Sequence, residues 1–188
     1  ILFWYEHVVL NKDITPTPSS ILVRAGELCT VTKIDDFTVR FSFAAPYGLF
    51  VSYLGRWGGQ RGIERFCEHY LKQYHPDFID ADAMAAMMKE EGFEQWTDFF
   101  SYMADNNNPD KPSIYAWLPK ERPPQAVQTY VRNPYYWKID IGGNQLPYID
   151  ELRTPRMADS EAILLKTIAG EMDWPGLPGG MANLNIMK

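Results

Sequence analysis

The heptapeptide FTVRFSF, residues 37–43, alternates without a break: Phe37, Val39, Phe41 and Phe43 are apolar, and Thr38, Arg40 and Ser42 are polar. Successive strand side chains point to opposite faces, so a period of two demands an extended segment with one buried face and excludes a helix. Asp35 and Asp36 supply turn chemistry just before it, which makes CTVTKI, residues 29–34, its hairpin partner. A β-hairpin with the four apolar residues inward is therefore predicted.

Helical spacing surrounds this hairpin. ILFWYEHVVL at residues 1–10 reads as a helix already under way, with Ile1, Tyr5 and Val8 or Val9 recurring on one face and no cap before them. The chain thus reads as an internal piece of a longer protein. The TPTPSS run at 15–20 forces an extended connection, because each proline fixes its own φ and restrains its predecessor. AAPYGLFVSYLG, at 44–55, gives a short apolar helix or turn. Three more helices are predicted: RFCEHYLKQY closed by Pro76, DADAMAAMMKEEG closed by Gly92, and EQWTDFFSYMAD. The Ala83–Met88 run reads as core packing within one amphipathic helix rather than as a methionine-lined binding surface.

NNNPDKP, at 106–112, is a hinge-like composition shift and is taken as a boundary between residues 1–110 and 111–188. Beyond it, IYAWLPKERPP reads as irregular, AVQTYVR as a strand with Val127, Thr129 and Val131 on one side, and YIDELRTPRM as extended. Asp159 or Ser160 caps the helix SEAILLKTIAG, Gly170 suits its C-terminal end, and GEMDW continues as a short extended segment. Helices and strands alternating in this way predict an α/β unit. Between the two strands, Pro134 fixes a turn. Tyr135, Tyr136 and Trp137 are expected to bury against neighbouring elements, making the loop a brace rather than a pocket.

Charge and chemistry narrow the function. With 18 basic and 24 acidic residues the net charge is -6, and no basic cluster offers a footprint for nucleic acid. No apolar run approaches the roughly 18 residues that span a bilayer. The sequence has no GxSxG elbow, P-loop or GxGxxG, and its carboxylates are scattered, so an enzyme is the weaker reading. Cys67, His69 and His75 are close in sequence, but six residues of helix put the two histidines on different faces, so no metal is expected there. Cys29 and Cys67 read as core thiols rather than as a pair. RWGGQRG, at 56–62, is the candidate ligand loop: Trp57 and Gln60 offer a ring and an amide, and Gly58 and Gly59 let the backbone approach closely. Trp174, just past GEMD, is the remaining candidate contact. Each of these has a packing or connecting role as its plainer alternative.

Several motifs occur together in order. VRNPYYWKID, then GNQLPYIDEL, then ILLKTIAGEMD, preceded by KIDDFTVRFSF, HYLKQYHP and ILFWYEHVVLNKDITP, resemble the extracellular solute-binding proteins of ABC transporters, in the peptide/nickel-type class called family 5. The resemblance covers nearly the whole chain. It departs from the family pattern at Cys67 and Glu68, where Pro-Lys is common before HYL, at Val131, where Glu is common before RNP, and in the tail WPGLPGG. These departures bear on the ligand, not on the fold. The resemblance implies part of a two-lobed, type II periplasmic-binding fold with a mixed sheet and flanking helices. Residues 1–110 would belong to the smaller middle domain and 111–188 to the first lobe. It further implies a monomeric, cofactor-free receptor at the periplasmic or outer face of the membrane, where a lipid anchor is one means of attachment. Its partners would be a peptide or another small solute, with nickel, sugars and opines as further ligand classes, and the ABC permease. A ligand sensor on the same fold is the alternative.

Overall fold

The structure, a computed structural model, describes residues 1–55, 63 and 65–174. Helix α1 (Leu2–Trp4) runs into a π-wound turn, Tyr5–Val9, closed by Leu10 N donating to the Tyr5 carbonyl at 3.0 Å. The predicted opening helix thus exists, but wider winding brings the adjacent Val8 and Val9 both inward together with Phe3, Trp4 and Tyr5. The Tyr5 hydroxyl donates to the Cys29 carbonyl at 2.7 Å, which ties this helix to the first strands.

Those strands begin with an unanticipated hairpin, β1 (Val23–Arg24) and β2 (Glu27–Leu28), turning through Ala25 and Gly26 with φ of 51° and 81°. Two consecutive positive φ values match the twist of a tight hairpin. The predicted hairpin follows as β3 (Thr30–Lys33) and β4 (Val39–Ser42), with Val31 opposite Phe41 and Lys33 opposite Val39. One residue breaks the expected pattern. Phe37 is fully exposed, because Asp35 Oδ1 accepts the Phe37 amide at 2.8 Å and draws it into the turn before the ladder begins. Phe41 and Phe43 pack instead on Phe50 of α2 (Phe50–Leu54), with ring centroids 5.0 and 4.7 Å apart.

The three predicted helices form as α3 (Glu68–Leu71), continued by a 3-10 turn at Lys72–Tyr74, then α4 (Ala81–Glu91) and α5 (Trp96–Met103). Asp80 caps α4 by accepting the Asp82 and Ala83 amides. At its other end Gly92, with φ +77°, lets Phe93 N reach the Met88 carbonyl at 2.8 Å. Met84 is buried as core packing requires, while Ala85 and Ala86 face solvent. Phe99, Phe100 and Leu71 are fully buried and centre the core on α3, α5 and the opening helix. Cys29 and Cys67 are both free thiols.

The hinge-like NNNPDKP segment is anchored. Asn108 is buried, its amide donating to the Tyr70 hydroxyl and the Met103 carbonyl, both at 2.9 Å. Lys111 is buried as well, and its Nζ donates to Asn106 Oδ1 at 2.6 Å and to the carbonyls of Ala104 and Arg65 at 3.0 and 3.2 Å. Polar composition here serves internal hydrogen bonding rather than looseness.

Beyond it lies a three-stranded sheet of order β5 (Trp117–Pro119), β6 (Val127–Arg132), β7 (Glu151–Pro155). The segment read as irregular therefore supplies β5. Pro119 is tolerated because, among the described residues, β5 pairs only with β6 and so lies at the edge of the sheet. Every strand pair among the described residues is antiparallel. Helix α6 (Ser160–Ile168) starts where predicted, Asp159 Oδ1 accepting the Ala162 amide at 2.9 Å. None of its residues is buried in this chain, and Leu165 and Ile168 lie exposed. The strand expected over GEMDW does not form at residues 171–174. Gly170, at φ +73°, turns the chain so that Glu171 N donates to the Lys166 carbonyl and Glu171 Oε2 meets Lys166 Nζ, folding the segment back onto the helix end.

Candidate ligand-binding cleft

Asn133 organises the loop that follows β6. It is buried, its Nδ2 donates to the carbonyls of Ser113 and Tyr115 at 3.1 and 2.8 Å, and its Oδ1 accepts the Tyr135 amide at 2.9 Å. An asparagine that satisfies its own turn and two carbonyls of the preceding strand's approach fixes where the next residues point. Gln145 secures the far side, its amide donating to the carbonyls of Pro134 and Tyr136 at 2.7 and 2.8 Å.

The loop is thus rigid, but its rings are not buried. Tyr135 and Trp137 are exposed in this chain, which corrects the expectation that they pack as a brace. The backbone amides and side-chain amides of Asn133 and Gln145 do the bracing, and that leaves the rings free to face outward. Tyr136, Trp137 and Lys138 form one wall of an open cleft of about 860 Å³. Ile114, Tyr115, Ala116 and Trp117, and Val51, Leu54, Gly55 and Ile63, line the rest of it. The cleft is thus lined by residues from both sides of residue 110. Its size and its largely apolar, aromatic lining are those of a small-molecule site. The Trp117 indole donates to the Ile149 carbonyl at 3.0 Å, which sets its ring plane, and Lys138 Nζ lies 5.0 Å from the centre of the Trp137 ring.

The loop closes on itself at Asp140. Its Oδ1 accepts the amides of Gly142 and Asn144, both at 2.8 Å, its Oδ2 accepts the Asn144 side chain at 3.0 Å, and the Tyr148 hydroxyl also donates to Oδ2. Those donors, Tyr148 first, hold the Asp140 carboxyl well below the usual carboxylate range, and the hydrogen bond to that carboxylate pushes the Tyr148 phenol up. Gly143 turns the chain with φ +83°.

Of the residues that the sequence singled out, Trp57, Gly58, Gly59 and Gln60 lie outside the described residues. Their flanks, Gly55 and Ile63, both line the cleft. Trp174 is exposed and does not line it. Sequence reasoning missed Trp117, Tyr136, Trp137 and Lys138; the signal was the ring-rich run after Asn-Pro, read as packing because a rigid turn adjoins it.

The sequence profile of the bacterial extracellular solute-binding proteins, family 5 Middle, matches residues 1–185. The chain belongs to that family. It is 30% identical over 183 residues to the periplasmic alpha-galactoside-binding protein of Rhizobium meliloti (strain 1021), covering 92% of this chain and 22% of that protein. Among solved structures it superimposes on the oligopeptide-binding protein OppA with a TM-score of 0.84 at 35% identity, over 99% of this chain and 29% of that one. It also superimposes on the periplasmic binding protein MelB from Agrobacterium fabrum C58, solved with stachyose, with a TM-score of 0.65 at 25% identity, over 93% of this chain and 24% of that one. The chain thus spans about a quarter of the length of these relatives, and its fold is part of the periplasmic binding-protein fold. Among the described residues, no helix is long and apolar enough to cross a membrane.

Proposed function

We propose that this chain is part of the solute receptor of an ABC importer, acting at the periplasmic or extracellular face of the membrane and delivering its solute to the permease. The aromatic-walled cleft between residues 1–110 and 111–188 carries this reading, since those two segments would belong to different domains of the receptor. A solute touching both walls is bound better when the domains close, so it shifts the open–closed equilibrium toward the state that the permease recognises. Trp57, Gly58, Gly59 and Gln60, between Gly55 and Ile63 in sequence, would complete the site.

An oligopeptide is the first ligand class, supported by the likeness to OppA over nearly the whole chain. The exposed faces of Tyr136 and Trp137 favour a second, an oligosaccharide of the alpha-galactoside type. Ring faces carry partial negative charge and suit the C–H faces of a sugar, and two similar proteins are named for, or solved with, such sugars. Calorimetric titration of the full-length protein with mixed tri- to pentapeptides and with stachyose separates the two. Saturable binding of either class supports a receptor and names its ligand; binding of neither removes the proposal.

A further inference from the structure

Outside the cleft, three side chains from distant parts of the sequence converge on one point. His7 sits on the π-wound turn, His75 follows the 3-10 turn after α3, and Asp77 lies two residues on. Their ligating atoms all lie within 4.8 Å of one another. Asp77 Oδ2 stands 2.7 Å from His7 Nδ1 and 3.6 Å from His75 Nδ1.

The orientation of His75 is set from behind. Its ring is fully buried, and Nε2 faces the His7 carbonyl at 3.1 Å, which makes Nε2 the protonated nitrogen and leaves the Nδ1 lone pair toward Asp77. A carbonyl on the far nitrogen is the outer-shell arrangement that fixes metal-bound imidazoles. On the lone-pair side, Nδ1 accepts a hydrogen bond from the Asp77 amide at 3.3 Å, which a bound ion would replace. Phe78, Trp96 and Phe100 hold the ring, with centroids 5.9, 5.3 and 5.3 Å away. Phe78 also packs on the His7 ring at 4.7 Å. The carboxylate side is open, Asp77 being half exposed, so an ion could enter and keep a water as its fourth ligand. Ligand atoms around tetrahedral zinc stand about 3.3 to 3.5 Å apart. The two separations to Asp77 Oδ2 fall on either side of that value, and all three ligating atoms lie within 4.8 Å of one another.

We propose that His7 Nδ1, His75 Nδ1 and Asp77 Oδ2 bind one divalent transition-metal ion of the zinc class, clamping the opening helix to the segment after α3. Two imidazoles and one carboxylate match that class and not calcium or magnesium, which take oxygen ligands. None of the three lines the cleft, so the site does not depend on the solute reading. Binding displaces the Nδ1 proton of His7, which moves to solvent or to Nε2, while Asp77 exchanges its hydrogen bond for the metal.

The test uses the full-length protein, stripped by chelator and titrated with Zn²⁺ by calorimetry and with Co²⁺ by visible absorption. The expected result is one saturable site whose Co²⁺ complex gives the intense bands of four-coordination. His7→Gln and Asp77→Asn, both at partly exposed side chains, are expected to weaken it by at least the roughly 10- to 100-fold typical of outer-shell losses, with unchanged circular dichroism. His69→Ala, at an exposed neighbour, is expected to leave it intact. Absence of saturable Zn²⁺ binding, undiminished binding in both His7→Gln and Asp77→Asn, or equal loss in His69→Ala would overturn the proposal.

Discussion

The side-chain amide of Asn133 donates to the carbonyl of Tyr115 at 2.8 Å, joining the loop that carries Tyr136 and Trp137 to the 114–117 segment that lines the same cleft. Asn133→Ala removes this bond together with the one to the Ser113 carbonyl and the one from the Tyr135 amide, all three part-buried. A loss of about 2 to 3 kcal/mol is expected. Hydrogen exchange on the full-length protein checks it: the Tyr135 amide should exchange faster, while amides of α5 keep their protection.

Trp137 stands at the opposite extreme, exposed, its ring meeting Tyr136 at 6.0 Å and the Lys138 ammonium at 5.0 Å. Trp137→Ala is expected to leave thermal stability unchanged and to weaken solute binding by about tenfold, equivalent to about 1.4 kcal/mol. Unchanged affinity, measured by calorimetry with whichever solute binds, would place the ligand elsewhere.

How much of this was legible in the sequence depends on where the determining forces lie. Local signals predicted the β3–β4 pairing, the Asp159 cap and the Gly92 and Gly170 helix ends, because each involves residues a few positions apart. Phe37 and β5 misled, since a side chain four residues from a strand's centre and a proline at a strand's end are settled by the turn and by the partner strand. The cleft was hidden for another reason. Whether Trp137 packs inward or faces a ligand depends on Asn133 reaching Ser113 and Tyr115, some twenty residues upstream. The convergence of His7 with His75 and Asp77 spans nearly seventy residues, and nothing in local spacing announces it.

The anchoring of the NNNPDKP segment by Lys111 gives a third prediction. Lys111→Ala strips a donor from Asn106 Oδ1 and from the carbonyls of Ala104 and Arg65, so a loss of about 2 kcal/mol or more is expected. Limited proteolysis with thermolysin should then cut the 105–112 region in the variant while the parent resists. Equal resistance would mean that Asn108 holds the segment alone.

Tyr74 has its phenol pushed up to about 12, by burial first and then by the hydroxyl of Tyr70. A folded value above the unfolded one of about 10 means that the contribution to stability is fully present below about pH 10 and is lost as pH rises from there through about 12. Tyrosinate absorbance of the parent minus that of Tyr74→Phe should show a single group ionising near 12. A midpoint near 10 would mean that the ring is reached by water.

Asp140 and Tyr148 shift in opposite directions through one shared hydrogen bond, so the loop behind the cleft wall has two pH limits. The carboxylate is held below its unfolded value, and its contribution is present above about pH 4 and lost as pH falls through the lower folded value. The phenol is raised, so its contribution is present below about pH 10 and lost as pH rises through the higher folded value. Between those limits the pair stays joined and the Asp140 turn keeps its shape. NMR titration of the Asp140 carboxyl carbon should therefore show a midpoint below that of the other aspartates, and Tyr148→Phe should raise it. Because four donors act on the same carboxylate, the shift is expected to shrink rather than vanish: the Gly142 and Asn144 amides and the Asn144 side chain remain. A midpoint unmoved by Tyr148→Phe would assign the whole effect to the turn and leave Tyr148 without a part in it.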